Sequence, residues 1–170
     1  MGQEKVTPPP TESVHPAGRE FDRLPVALQL EHLLASQAHA IEAVRKITDQ
    51  LAAAVEVATD RLRASDGRLV YAGAGCSIRI GVQDGVELVP TFGWPINRLA
   101  YLIAGDTKAL AESVEGAEDD VDDAVVQIEQ RGITASDVVI GIAASGNTPF
   151  TCRVLAAAKE RGALTVGVSS

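Results

Sequence analysis

Histidine and cysteine are scarce in this chain, and where the few of them stand removes several chemistries at once. His15, His32 and His39 all precede the first strand-like segment, so no Ser-His-Asp triad is visible and they read as solvated or helix-surface side chains. Cys76 and Cys152 stand alone, with neither a CxxC nor a Cys/His cluster at metal spacing. A disulfide framework and a zinc site are thereby set aside, and Cys152, inside a predicted helix, reads as an ordinary buried thiol. Cationic side chains are outnumbered, 15 Lys and Arg against 23 Asp and Glu, for a net charge of -8 and a pI near 4.8. Without a basic stripe, nucleic acid is not an expected partner. No apolar run approaches the roughly 18 residues of a membrane span, and Met1-Gly-Gln-Glu-Lys5 lacks the apolar core of a signal peptide. The expectation is a cytoplasmic protein with no membrane contact.

Three familiar loops are missing too. Gly73-Ala-Gly75-Cys-Ser-Ile78 departs from the dinucleotide pattern G-x-G-x-x-G at its last position, and no acid follows about 20 residues on at a strand end. Neither a G-x-S-x-G nucleophile elbow nor the G-x-x-x-x-G-K-S/T loop of phosphoryl transfer occurs.

What the chain does have is one strand-to-helix turn used twice. Leu69-Val-Tyr-Ala-Gly-Ala-Gly-Cys-Ser77 and Val138-Val-Ile-Gly-Ile-Ala-Ala-Ser-Gly-Asn-Thr148 each run from apolar residues into small residues and hydroxyls where a helix should begin. Backbone N–H groups and Ser/Thr oxygens then converge on a small anion, which is how a sugar phosphate is held.

Around these turns the pattern divides into three regions. Residues 1–20 carry Pro8-Pro-Pro10 and no periodicity, as in an extended or disordered arm. Residues 21–66 are rich in helix formers, with Val44, Ile47, Leu51, Val55, Ala58 and Leu62 spaced by three and four, and predict a short helix near 25–35 and a long one near 37–64. Residues 67–170 alternate: strand 68–73, helix 77–84, loop 85–96, strand 99–104, helices 107–114 and 119–131, strand 137–142, helix 149–161, strand 164–168. That alternation implies an α/β domain with a parallel sheet between helices. Pro149 after Thr148 opens one helix, and Arg161-Gly162 and Arg131-Gly132 close two. Ligands of such sheets lie beyond the carboxyl ends of the strands, so the two turns are expected to line one crevice.

Two carboxylates could approach that crevice. Glu87 lies between the first predicted helix and a Pro/Gly-rich loop, and Glu118 lies in Glu115-Gly-Ala-Glu-Asp-Asp120. Carboxylates in different environments can divide acid and base work. Six of the nine residues 115–123 are acidic, however, and pattern alone favours a solvated run with Asp119 or Asp120 capping a helix.

Thr11-Glu-Ser13, Gly67-Arg-Leu-Val-Tyr-Ala-Gly-Ala-Gly-Cys-Ser77, Pro90-Thr-Phe-Gly93, Leu102-Ile-Ala-Gly105, Val114-Glu-Gly-Ala-Glu-Asp-Asp120 and Val139-Ile-Gly-Ile-Ala-Ala-Ser-Gly-Asn-Thr-Pro149 together resemble the N-acetylmuramic acid 6-phosphate etherases of the sugar isomerase (SIS) superfamily. The resemblance runs from about residue 11 to the last residue and implies a flavodoxin-like three-layer SIS sandwich behind N-terminal helices, incomplete here at about four strands. It also implies a homodimer with active sites near the subunit interface. The implied reaction cleaves the D-lactyl ether of a phosphorylated amino sugar, with no metal and no organic cofactor. By this resemblance Glu118 removes the C2 proton and Glu87 protonates the departing lactyl oxygen. Gly75, Cys76, Ser77 and Arg79 of the first turn, with Ser145, Gly146, Asn147 and Thr148 of the second, would hold the substrate and its phosphate. For Ser145 and Thr148 helix capping is the plainer role, since a cap and an anion ligand use the same geometry.

The chain departs from that pattern at several points, beginning with Cys76-Ser-Ile-Arg79 where the family has Thr-Ser-Gly-Arg. Ile78 stands where the family has Gly, and is expected to add bulk where backbone approaches ligand. Asn147 replaces an Arg, removing a cation, and Glu87 sits in Val86-Glu-Leu-Val89 where the family has Ser-Glu-Cys-Pro. Family members also continue beyond the fourth strand, so an open sheet edge and apolar face are expected here, favouring dimerisation or a partner chain that supplies a C-terminal half.

Overall fold

The computed structural model of the chain describes residues 18–170, so Pro8-Pro-Pro10, Thr11-Glu-Ser13 and His15 lie outside the described residues. Two compact units divide at Glu56 and Val57. The first is helical. A run of Ala, Leu, Gln and Glu without a breaker carries α1 (Val26–Lys46) past residue 36, where the sequence predicts a gap. The break comes instead at Ile47, after which α2 (Thr48–Ala64) begins; the Thr48 hydroxyl donates to the Arg45 carbonyl at 2.8 Å, a local bond that competes with helix continuation.

The second unit is the predicted α/β layer. Strands β1 (Leu69–Gly73), β2 (Leu99–Ile103), β3 (Val138–Ile142) and β4 (Leu164–Val168) form one parallel sheet in the order β2-β1-β3-β4. Because strand side chains alternate, two cores form. On one face Tyr71 and Ile103 pack with Ile78 of α3 (Gly75–Phe92). On the other, Val70, Ala72, Leu102 and Val139 pack with Ala124 and Ile128 of α4 (Val121–Arg131) and with Phe150 and Val154 of α5 (Pro149–Glu160). β1, β2 and β3 contribute to both cores and read as short apolar runs for that reason, whereas β4 has no fully buried residue.

Helix α3 is the main departure from expectation. It continues through the predicted loop 85–96 as far as Phe92, stopping at Gly93 in the left-handed region (φ 65°). Gly85 reads as a breaker, yet it is buried where α3 crosses the sheet most closely: a Cβ there would stand 2.6 Å from the Tyr101 hydroxyl and 2.9 Å from Tyr71 Cε2. Packing thus outweighs the roughly 1 kcal/mol that glycine costs a helix. The predicted helix 107–114 is only a 3-10 turn, Thr107–Leu110, and the predicted helix 119–131 is a turn, Ala117–Asp119, followed by α4. Asp120 caps α4 through a 2.9 Å bond from the Asp123 N–H, the capping role anticipated for the acidic run. Cys152 is exposed rather than buried, because α5 turns Thr151 and Val154 inward instead.

Candidate functional site

Gly73 ends β1 and Gly75 opens α3 at φ 53°, a conformation that costs glycine little. The left-handed step turns the chain at once from strand into helix, leaving Gly75 and Cys76 exposed and Ser77 half-buried at the helix N-terminus. Ile78 is fully buried in the core beneath the turn, facing the sheet. The bulk expected to crowd a ligand therefore points away from it, and this departure from the family pattern does not narrow the opening.

Beyond the end of β2 the chain folds back over this turn. Ala104 donates to the Gly73 carbonyl at 3.1 Å, and Gly105 (φ 78°) lies so close to Val114 and Ala117 that a Cβ would stand 3.1 Å from either. An open cavity of about 320 Å³ lies between the first turn and this segment, lined by Gly75, Arg79, Glu112, Ser113, Glu115 and Glu118 among others. Glu118, from the Ala117–Asp119 turn, thus shares a cavity with the first glycine turn, beside the N-terminus of α3. Glu112, Ser113 and Glu115 were not anticipated. Glu115 belongs to the run 115–123 read as solvated surface, and nothing in the pattern marks Glu112 or Ser113.

The second turn follows β3, the neighbour of β1. Gly146 takes φ 70° and donates to the Ala143 carbonyl at 2.9 Å. The Ser145 hydroxyl oxygen accepts from the Asn147 N–H at 3.2 Å, and Thr148 stands at the N-cap of α5 without using its side chain. Neither hydroxyl caps the helix, which removes the plainer reading for both. Ser145, Gly146 and Asn147 are exposed, and none of the four residues lines the 320 Å³ cavity, so the two turns open side by side rather than into one cavity.

Glu87 is placed differently. It lies twelve residues after Gly75 in α3, about 18 Å along the helix axis at 1.5 Å per residue, and does not line the cavity. Both Glu87 and Glu118 are exposed, so the contrast of environments that would divide acid from base is not built between them within this chain. Among the described residues no group of three or more His, Cys, Asp or Glu is arranged to hold a metal ion, and no helix is long and apolar enough to cross a membrane.

A parallel sheet between helical layers, with glycine turns at the carboxyl ends of adjacent strands and a carboxylate-lined cavity over one of them, is the arrangement of a sugar isomerase domain. Residues 47–159 match the family described as the glucokinase regulatory protein N-terminal SIS domain, and the chain belongs to that family. It is 42% identical over 160 residues to the N-acetylmuramic acid 6-phosphate etherase of Deinococcus radiodurans, covering 94% of this chain and 52% of that protein. The etherases of Rubrobacter xylanophilus (40% identity, 94% and 52% covered) and Streptomyces avermitilis (42%, 94% and 51%) are similar to the same extent. The chain spans about half the length of these relatives. Among solved structures, phosphoheptose isomerase from Neisseria gonorrhoeae superposes with a TM-score of 0.57 at 23% identity, covering 82% of this chain and 74% of that one, and so shares the fold.

Proposed function

We propose that this chain carries the sugar-phosphate-binding turns and the base of an N-acetylmuramic acid 6-phosphate etherase, acting in the cytoplasm in cell-wall sugar recycling. The observation that carries the proposal is Glu118, set in the cavity over the first glycine turn. Its carboxylate would take the C2 proton of the open-chain sugar, the C3–O bond would break, and D-lactate would leave once its oxygen is protonated. Water adding at C3 of the unsaturated sugar gives N-acetylglucosamine 6-phosphate. Phosphate held by Ser77, Ser145, Thr148 and the turn amides would fix C2 against the base.

Glu87 would supply the proton to lactate from a second chain. It shares an outward face of α3 with Ile80, which is 66% exposed, and stands beside Val86, 54% exposed; apolar surface of this kind is what a partner covers. A second copy of this chain in a homodimer would provide that Glu87, and a chain bearing the C-terminal half would be a further partner for the exposed surface. The test is lactate release from N-acetylmuramic acid 6-phosphate by the chain, alone and with a C-terminal half taken from an etherase, with Glu118→Gln as control. Release that survives Glu118→Gln refutes the assignment.

A second reading, a sugar-phosphate sensor without turnover, is favoured by the separation of Glu87 from Glu118 in one chain and by Asn147 in place of a cation. Thermal stabilisation by N-acetylglucosamine 6-phosphate with no lactate release under either condition would select it.

A further inference from the structure

Arg79 sits one turn into α3, at the edge of the cavity, where its charge suggests a phosphate ligand. Its guanidinium is otherwise engaged. Nε and Nη2 donate to the Ala109 carbonyl at 3.2 and 2.9 Å, and Nη2 also donates to the Glu112 carbonyl at 3.1 Å. Neither carbonyl receives a backbone donor among the described residues, because the 3-10 turn Thr107–Leu110 is too short to continue its ladder; Ala111 and Glu112 both donate back to Lys108 instead. One planar fork therefore closes the end of the turn that begins the segment leading to Glu118. The same segment is fixed at two other places. Ala109 is buried with Tyr71, Ile78 and Ile103, and Gly105 packs against Val114 and Ala117.

We propose that Arg79 is a positioning residue: it ties the N-terminal part of α3, and with it the first glycine turn, to the segment bearing Glu118, and so sets the distance between the base and the bound phosphate. This rests on the etherase reading for what Glu118 does, while the tie itself stands on geometry alone. A lysine cannot reproduce it. Its ammonium is a point charge without the fork that bridges two carbonyls, so Arg79→Lys separates the two roles: it keeps a phosphate ligand's charge and loses the tie. The segment also carries Glu112, Glu115, Glu118, Asp119 and Asp120, and without the guanidinium that acidic loop has less to hold it over the turn.

The experiment is amide hydrogen exchange on the whole chain, wild type against Arg79→Lys and Arg79→Ala, without ligand. Both variants should exchange roughly tenfold or more faster across residues 109–118, with β1 and β3 unchanged, and methylguanidinium should restore protection to Arg79→Ala. Wild-type protection in Arg79→Lys, or acceleration spread equally over β1 and β3, overturns the proposal. If the wild type, alone or with a C-terminal half, releases lactate, both variants should lose about 100-fold in kcat with KM moving far less. A rise in KM alone makes Arg79 a phosphate ligand and overturns the assignment. If the wild type releases none under either condition, the etherase reading fails, and exchange still decides whether Arg79 holds the segment.

Discussion

Asp137 illustrates how much one buried carboxylate can organise. Its oxygens accept from the Arg68 backbone N–H at 2.8 Å, from Arg68 Nε and Nη2 at 3.1 and 2.9 Å, and from the Thr134 N–H at 2.8 Å. Arg68 in turn donates to the Arg131 and Gly132 carbonyls at the end of α4. Burial pushes the Asp137 carboxyl up, but the hydrogen bonds from Arg68 and Thr134 outweigh it and hold the group below the ordinary carboxylate range. The resulting stabilisation is present above the unfolded-state value of about 4 and is lost as pH falls through the lowered native value. Asp137→Asn should cost about 3 kcal/mol at neutral pH, read from the urea midpoint, and its gap from wild type should shrink at about pH 3. A constant gap would show that charge plays no part. At the other end of the sheet, Glu118→Gln should leave the urea midpoint unchanged, since the side chain is exposed, and under the etherase reading proposed above it should lower lactate release by at least about 100-fold. Glu118 was legible through the motif around it. Asp137 was not, because a single Asp before a strand has no pattern until Arg68, distant in sequence, is brought beside it.

At the scale of elements, α3 decides most. Gly81 and Gly85 let it lie close on Tyr71 and Tyr101, whose rings stack at 6.1 Å, and the Tyr71 hydroxyl donates to Asp84 of the helix. Gly85→Ala should therefore destabilise the chain by about 1–3 kcal/mol, the range for forcing atoms into a filled core, against the gain that alanine brings to an exposed helix. A rise in the urea midpoint would mean that the rings move aside freely. Burial raises the phenols of both tyrosines, and for Tyr71 the bond to Asp84 adds to it. As these are the chain's two tyrosines, ultraviolet titration of the folded protein should show no phenolate step near pH 10. The stability they contribute is present below that pH and falls as pH rises through their native values. Sequence reading stopped α3 near residue 84 because Gly85, Pro90 and Gly93 look like punctuation. Their meaning reversed on folding: Gly85 is a packing surface, Pro90 sits in the last turn, and only Gly93 ends the helix.

For the whole molecule, stability should be uneven. No residue of α1 is buried, whereas β1 and β3 lie between neighbours on both sides and beneath helices on both faces. Amides of α1 should exchange orders of magnitude faster than those of β1 and β3, and equal protection would reveal that another surface covers α1. The sheet edges differ as well. On β2, Gln127 of α4 occupies the Ile103 N–H at 2.9 Å and its carbonyl at 2.8 Å, while β4 leaves Gly167 and Val168 exposed. The sequence by itself determined the four strands, the parallel sheet and both glycine turns, because apolar period, caps and glycine positions act over a few residues, and it marked the family through the resemblance of the longer motifs that contain those turns. Only the tertiary structure decided that Ile78 faces the core, that the second turn opens beside the cavity rather than into it, and that Glu87 stands apart from Glu118. Those outcomes depend on which face of a helix meets the sheet and how far the helix runs, and these are set by contacts between segments distant in the chain.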